Sequence, residues 1–183
     1  MPGTQVHHHQ PHYRRLRPDE LDRVVEIDVT ESDDIVLVQD GTSIRDNHQT
    51  WSRPPRGLDA WRQHRRDWTA TLADGGAAWG AFAGNRLVGL AVLRRRISPP
   101  ATDQLEALFV DRRMRRQGIA STLIGLLEDE AVTGGASLLV VSATPSRSAV
   151  GAYRRAGFAP SVEPLAQLLA REPDDIHLEK EIG

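Results

Sequence analysis

Residues 105–131 read LEALFVDRRMRRQGIASTLIGLLEDEA, and the succession of residue types in them decides the fold class. Gln104 to Val110 is an apolar, strand-sized run. Asp111 to Gln117 is a basic loop carrying Arg112, Arg113, Arg115 and Arg116. Gly118 then opens a helix in which Ala120, Leu123, Ile124, Leu127 and Ala131 recur at i, i+3, i+4, i+7 and i+11, an amphipathic stripe that Gly134-Gly135 ends. A strand that feeds a helix through a glycine loop leaves unpaired N–H groups and the positive end of the helix dipole at one point, which suits an anion. Gly118 lets backbone approach a phosphate closely, and Ala120 keeps the helix start uncluttered. A phosphate-bearing cofactor is the expected ligand.

Upstream, AAWGAFA (77–83) and RLVGLAVLRR (86–95) read as two strands joined by a Gly84-Asn85 hairpin turn, with Ser98-Pro99-Pro100 breaking the chain after them. Further back lie a short strand from Tyr13 to Arg17 closed by Pro18 and a helix beginning at Asp19 and Glu20. A small hairpin follows, 35–38 returning through 42–44. A helix over 58–73 buries Trp61, Trp68 and Leu72. Downstream, Ser137 to Ala143 predicts a buried strand, Thr144-Pro145-Ser146 starts a helix ended by Gly157, and 175–182 is the last strand. The expectation is a mixed α/β (α+β) fold.

The chain has 183 residues, 23 basic against 25 acidic, a net charge of −2 and no cysteine. That length suits one domain, placed at 12–183 behind a disordered tail over 1–11. His7, His8, His9 and His12 are discounted as metal ligands because a floppy tail has no preformed site, and no metal is expected. The missing cysteine excludes disulfides, a thiolate zinc site and a cysteine nucleophile. No apolar run is long enough to span a membrane and no signal core is present, so a cytoplasmic location is expected. The charge balance argues against a nucleic-acid binder. The arginine clusters at 94–96 and 112–116 lack the interleaved aromatics of a base-stacking platform.

The loop has neither GxxxxGK[ST] nor GxGxxG. Its Arg115-x-x-Gly118-x-Ala120 resembles the pyrophosphate loop of the GNAT N-acetyltransferase superfamily. Three further features agree: the strand end Leu108-Phe109-Val110, the later stretch SATPSRSAVGAYRRAGF (142–158), and the hairpin ahead of the loop. The resemblance implies a mixed central sheet of about six to seven strands, with antiparallel N-terminal arms, a splayed central strand pair and about four flanking helices. It implies acetyl-CoA as cosubstrate and coenzyme A as product. The residues it carries over as cofactor-binding are Leu108, Phe109, Val110, Arg115, Arg116, Gln117, Gly118, Ile119, Ala120, Ser121, Ser146 and Ala149. Ser146 stands where similar proteins often have asparagine.

The same resemblance makes Tyr153 the general acid that protonates the leaving thiolate, and a backbone N–H of Phe109 or Val110, beside a bulge, the oxyanion donor. Glu106 is the first choice of base, with His177, Glu26, Asp28 and Glu31 as rivals. Without cysteine no cysteinyl acetyl-enzyme can form, which favours direct attack in a ternary complex. Residues 19–34 hold eight acids and one arginine, an expected acceptor lobe for a small cationic amine, with Trp51 and Trp61 as pocket floor or core. The stretch IDVTESDDIVLV is similar to streptothricin-type acetyltransferases over a short run. A non-catalytic acyl-CoA-binding module and a protein (Lys or N-terminal) acetyltransferase are the alternatives. A homodimer is left open.

Overall fold

The computed structural model describes residues 10–99 and 101–183. Most of the expected tail, with His7, His8 and His9, lies outside them. His12 instead belongs to a strand and stacks on Phe82 with ring centroids 5.2 Å apart.

In chain order the elements are β1 (His12–Arg15), a 3-10 helix (Pro18–Glu26), β2 (Glu31–Asp40), β3 (Ser43–Arg53) and α1 (Leu58–Ala73). Next come β4 (Ala77–Ala83), β5 (Arg86–Ser98), β6 (Thr102–Val110), α2 (Ile119–Thr133) and β7 (Leu138–Ala143). The chain closes with α3 (Arg147–Arg155), β8 (Ala159–Pro160), α4 (Ala166–Arg171) and β9 (Ile176–Glu181). Seven strands form one mixed sheet in the order β1-β4-β5-β6-β7-β9-β8, and β2 and β3 form a separate two-stranded sheet.

Alternation along β5 and β6 sends side chains to two layers. Leu93 and Leu105 pack with Leu123, Leu127 and Leu139 on the α2 side. Leu90 and Val92 pack with Trp61, Trp68, Leu21 and Val24 on the side of α1 and the 3-10 helix. Burying both faces is what lets these strands be nearly continuous apolar runs.

The one parallel pair in the sheet opens the site. β6 pairs with β7 only over Thr102–Gln104 against Leu138–Val140. β7 then stays with β9 along Leu138–Ala143, so the two central strands diverge beyond Gln104. β6 also carries a bulge: Val92 faces Ala107 and Leu93 faces Leu105, leaving Glu106 as the extra residue. The bulge lies three positions before Phe109, upstream of the expected place.

Three sequence expectations change. The first helix is a 3-10 helix. Its turns close by i→i−3 bonds at both ends, Glu20 N–H to Arg17 O at 3.0 Å and Ile27 N–H to Val24 O at 3.1 Å. The small hairpin is much longer than 35–38 and 42–44, because its outer half is polar and only Ile35 and Leu37 are buried. Between Gly157 and the last strand, where no element was expected, lie β8 and α4.

Candidate active site

The divergence of β6 and β7, roofed by α3 and the start of β2, leaves a cleft of about 690 Å³ at the N-terminus of α2. Gly118 caps that helix with φ +81° and no side-chain hydrogen bond, so the N–H groups of the first turn have no capping partner. A Cβ at Gly118 would meet nothing within 4 Å, so the chain leaves open space over the helix start. Arg116 also has positive φ, +63°, a strained choice for a non-glycine residue. Left-handed residues in a turn ahead of a helix start are one way that backbone N–H groups can form an anion-binding concavity. Arg53, Arg112, Arg115, Arg116 and Arg155 line the cleft, with Glu31 as the one acid in the lining. This backbone and charge pattern fits a pyrophosphate group.

Ten of the twelve expected cofactor residues line the cleft: Leu108, Phe109, Val110, Arg115, Arg116, Gly118, Ile119, Ala120, Ser121 and Ala149. Two do not. Ser146 is 1% exposed and spends its hydroxyl capping α3, where Oγ accepts from Ala149 N–H at 3.2 Å. Gln117 faces solvent and turns back toward Arg113 O.

The ladder also separates the two expected oxyanion donors. Asp111 N–H donates to Val88 O at 2.8 Å, which phases the antiparallel β5–β6 pairing. The N–H of Phe109 therefore points at Leu90, its partner in β5. Those of Leu108 and Val110 point to the side that β7 has left. Phe109 is thus removed as a donor; its ring packs edge-on against Trp61 at 4.9 Å.

Neither expected proton-transfer side chain lines the cleft. Tyr153 is 5% exposed, its ring edge-on to Phe158. Ser148, Ala149, Ala152 and Arg155 form the cleft-lining stripe of α3, and Tyr153 sits at its inner margin, one turn after Ala149. Burial, then Asp175 and Glu172, push the phenol up, so it stays protonated at neutral pH. The bulge turns Glu106 toward α1, where Oε2 accepts from Thr71 Oγ1 at 2.6 Å. Its Oε1 is buried without a hydrogen-bond partner, and Arg94 Nη1 stands 4.0 Å from it.

The rival bases are also engaged. His177 is 4% exposed with Nδ1 3.2 Å from Ser142 Oγ and Nε2 3.1 Å from Glu172 O. Burial lowers its pKa, keeping it neutral. Glu26 holds Arg23 and the Leu87 N–H, and Asp28 accepts from Thr30. Of the eight acids at 19–34, six pair with arginines: Asp19 with Arg17, Glu20 with Arg14, Asp22 with Arg65, Glu26 with Arg23, Asp28 with Arg112, and Glu31 with Arg53 and Arg115. The acidic segment is therefore a set of ion pairs rather than an open acidic lobe. Trp61 is fully buried, and Trp51 donates its indole N–H to Ile35 O at 2.9 Å within the hairpin.

An acidic groove does exist, elsewhere. Leu37 N–H donates to Pro145 O at 2.9 Å, docking the β2–β3 hairpin between the cleft and a second cavity of about 610 Å³. Asp174, Asp175, Gln39, Asn47 and Gln49 contribute to its wall, which contains no arginine or lysine. Burial, then Glu172, raises Asp175 to about 6, against the pull of Arg53. The sequence reading has Asp175 only as the first residue of the last strand; that strand begins one residue later, at Ile176. Among the described residues no cluster of three or more His, Cys, Asp or Glu could hold a metal ion, and no helix is long and apolar enough to cross a membrane.

The acetyltransferase (GNAT) domain model matches residues 53–167. The chain belongs to the GNAT acetyltransferase family. Its class of chemistry is accordingly acyl transfer. No curated protein matches it by sequence. Several solved GNAT-type structures share its fold at low identity. A nourseothricin acetyltransferase has TM-score 0.72 and 18% identity over 96% of this chain and 100% of the other. A provisionally assigned streptothricin acetyltransferase from Bacillus anthracis str. Ames, in complex with acetyl coenzyme A, has TM-score 0.64 and 16% identity over 92% and 97%. The PaiA N-acetyltransferase of Thermoplasma acidophilum, in complex with coenzyme A, has TM-score 0.61 and 16% identity over 94% and 99%. The GNAT sheet, with its diverging central pair, is the architecture that the sequence resemblance implied.

Proposed function

We propose that this chain, as a single GNAT domain over 12–183, moves an acetyl group from acetyl-CoA to a primary amine on a small cationic molecule. The observation that carries the reading is the basic cleft at the uncapped, glycine-opened start of α2, between two diverging strands. The first-turn N–H groups of α2 and Arg116 would take the pyrophosphate, and β6 and Ala149 would flank the pantetheine arm. The N–H groups of Leu108 and Val110 would stabilise the negative charge that grows on the thioester oxygen. With acetyl-CoA bound, the amine would attack directly, and Tyr153, held protonated by its surroundings at the inner margin of the cleft, would give its proton to the sulfur that leaves. The amine proton would pass to solvent.

A cationic acceptor is supported by the acidic groove beyond the hairpin. Relatives in fold that are named for nourseothricin and streptothricin acetylation point the same way. The second reading, an acyl-CoA-binding module without turnover, is favoured by the position of Tyr153 and Glu106 outside the cleft.

The test is release of free CoA thiol from acetyl-CoA across polyamines, streptothricin-type and aminoglycoside amines, amino acids and peptides. The proposal expects turnover with a polycationic small amine. Tyr153→Phe should slow it by about tenfold or more with CoA affinity unchanged. Tight CoA binding with no turnover on any amine would favour the second reading.

A further inference from the structure

Glu31 is out of place in a site built for phosphate. It begins β2, yet its carboxylate reaches into the cleft as the single acid among five arginines. Oε2 lies 3.5 Å from Arg115 Nη1 and 3.9 Å from Arg53 Nη1, and Oε1 accepts from Ser148 Oγ. Arg53 in turn donates to Thr144 Oγ1 at 3.0 Å. The carboxylate thus bridges the mouth of the splay, from the loop after β6 to the segment that joins β7 and α3. Its side chain is 12% exposed, so solvent screens it only in part.

The contacts to arginine are loose. A carboxylate that anchors an arginine does so through two bonds near 2.8 Å, as Glu20 does with Arg14 at 2.7 and 3.0 Å. At 3.5 and 3.9 Å, Glu31 balances the charge of Arg115 and Arg53 without forming such a fork. Arg115 is the first residue of the Arg-x-x-Gly-x-Ala loop. A pyrophosphate brings more charge and more acceptor oxygens to the same guanidinium than one carboxylate offers.

We propose that Glu31 is an internal stand-in for the cofactor's phosphate: it engages two of the cleft's five arginines, Arg53 and Arg115, and competes with the cofactor for them. The proposal rests on the reading of the cleft as the acetyl-CoA site. Glu31 then sets cofactor affinity, holding it below what the arginines alone would give. It also keeps Arg53 and Arg115 from being left unpaired when the cleft is empty, a state that would invite any cellular anion.

The experiment titrates CoA, and separately phosphate-free acetyl-pantetheine, into wild-type protein and Glu31→Gln by calorimetry. Glutamine keeps the size of the side chain and an oxygen for Ser148. The variant should bind CoA about three- to fivefold more tightly, the scale of a partly exposed ion pair, with acetyl-pantetheine affinity unchanged. Equal or weaker CoA binding would overturn the proposal and make Glu31 a brace for the arginines. An equal gain for both probes would also overturn it, since the obstacle would then be steric. If Glu31→Gln does not fold, Glu31→Ala removes the same charge and should likewise tighten CoA; no gain there counts against the proposal. Wild-type protein that binds CoA while neither variant gains leaves the cofactor reading standing and removes only Glu31's role. Wild-type protein that does not bind CoA removes both.

Discussion

The two cavities on either side of the β2–β3 hairpin have similar volumes, about 690 and 610 Å³, and opposite charge. The cleft carries five arginines and one glutamate, whereas the groove carries two aspartates and no arginine or lysine. They also differ in what makes them. The cleft is chiefly backbone: a glycine at φ +81°, an uncapped helix start and a strand edge left bare. The groove is chiefly side chains, gathered from β2, β3, the segment after β8 and the residues before β9. A backbone site depends on a few contiguous residues, so one substitution can abolish it. A side-chain site is spread over the chain and answers to single changes by degrees.

That contrast can be broken most sharply at Gly118. Gly118→Glu would place a carboxylate in the space over the helix start, where nothing lies within 4 Å of a Cβ. CoA affinity should fall by on the order of 100-fold. Positive φ should add a stability cost of about 1–2 kcal/mol. Gly118→Ala shares the cost in strain but not the charge, and should keep most of the affinity. Calorimetric titration of both variants checks this; equal losses would mean that backbone strain, rather than an anion site, explains the glycine.

The smaller effect belongs to the groove and to pH. Asp175 has its pKa raised to about 6 from 3.8, so it gives up its charge as the pH falls through about 6. A cationic acceptor should then lose affinity, with KM rising about two- to fivefold between pH 7.5 and 5.5. Asp175→Asn should flatten that profile. The sign for stability is the reverse of a salt-bridged carboxylate. The folded state holds the Asp175 proton more tightly than the unfolded chain, so this group's stabilising contribution is present at low pH and is lost as pH rises through 6. Asp175→Asn should therefore melt higher than wild type at pH 8, and the gap should close below pH 6. A gap independent of pH would show that Asp175 does not titrate as described.

Legibility in the sequence followed the same division. The strand, basic loop and Gly118 helix are contiguous in 105–131, and nine of the ten expected cofactor residues that line the cleft come from them. The sheet with its splayed central pair followed from the same motifs. Ser146 and Gln117 fall outside the cleft lining, because spacing says that a residue is near a helix start, not where its side chain is spent: Ser146 caps α3. The acids at 19–34 looked like an acceptor lobe because spacing does not show which arginines pair with them, and several partners are distant in the chain, Asp22 with Arg65 and Glu31 with Arg115. Asp175 gained its environment only when α4 and β9 closed around it, and α4 itself was not anticipated. The bulge at Glu106 depends on strand register, which no single strand encodes.

The most direct test follows backbone amide resonances during a CoA titration of the full chain. Shifts should be largest at Ile119, Ala120 and Ser121, then at Leu108 and Val110, while Phe109, whose N–H is committed to β5, moves less than either neighbour. Changes centred on Asn47, Asp174 and Asp175 with the α2 amides still would contradict the account, because the anion would then be bound on the acidic side of the hairpin.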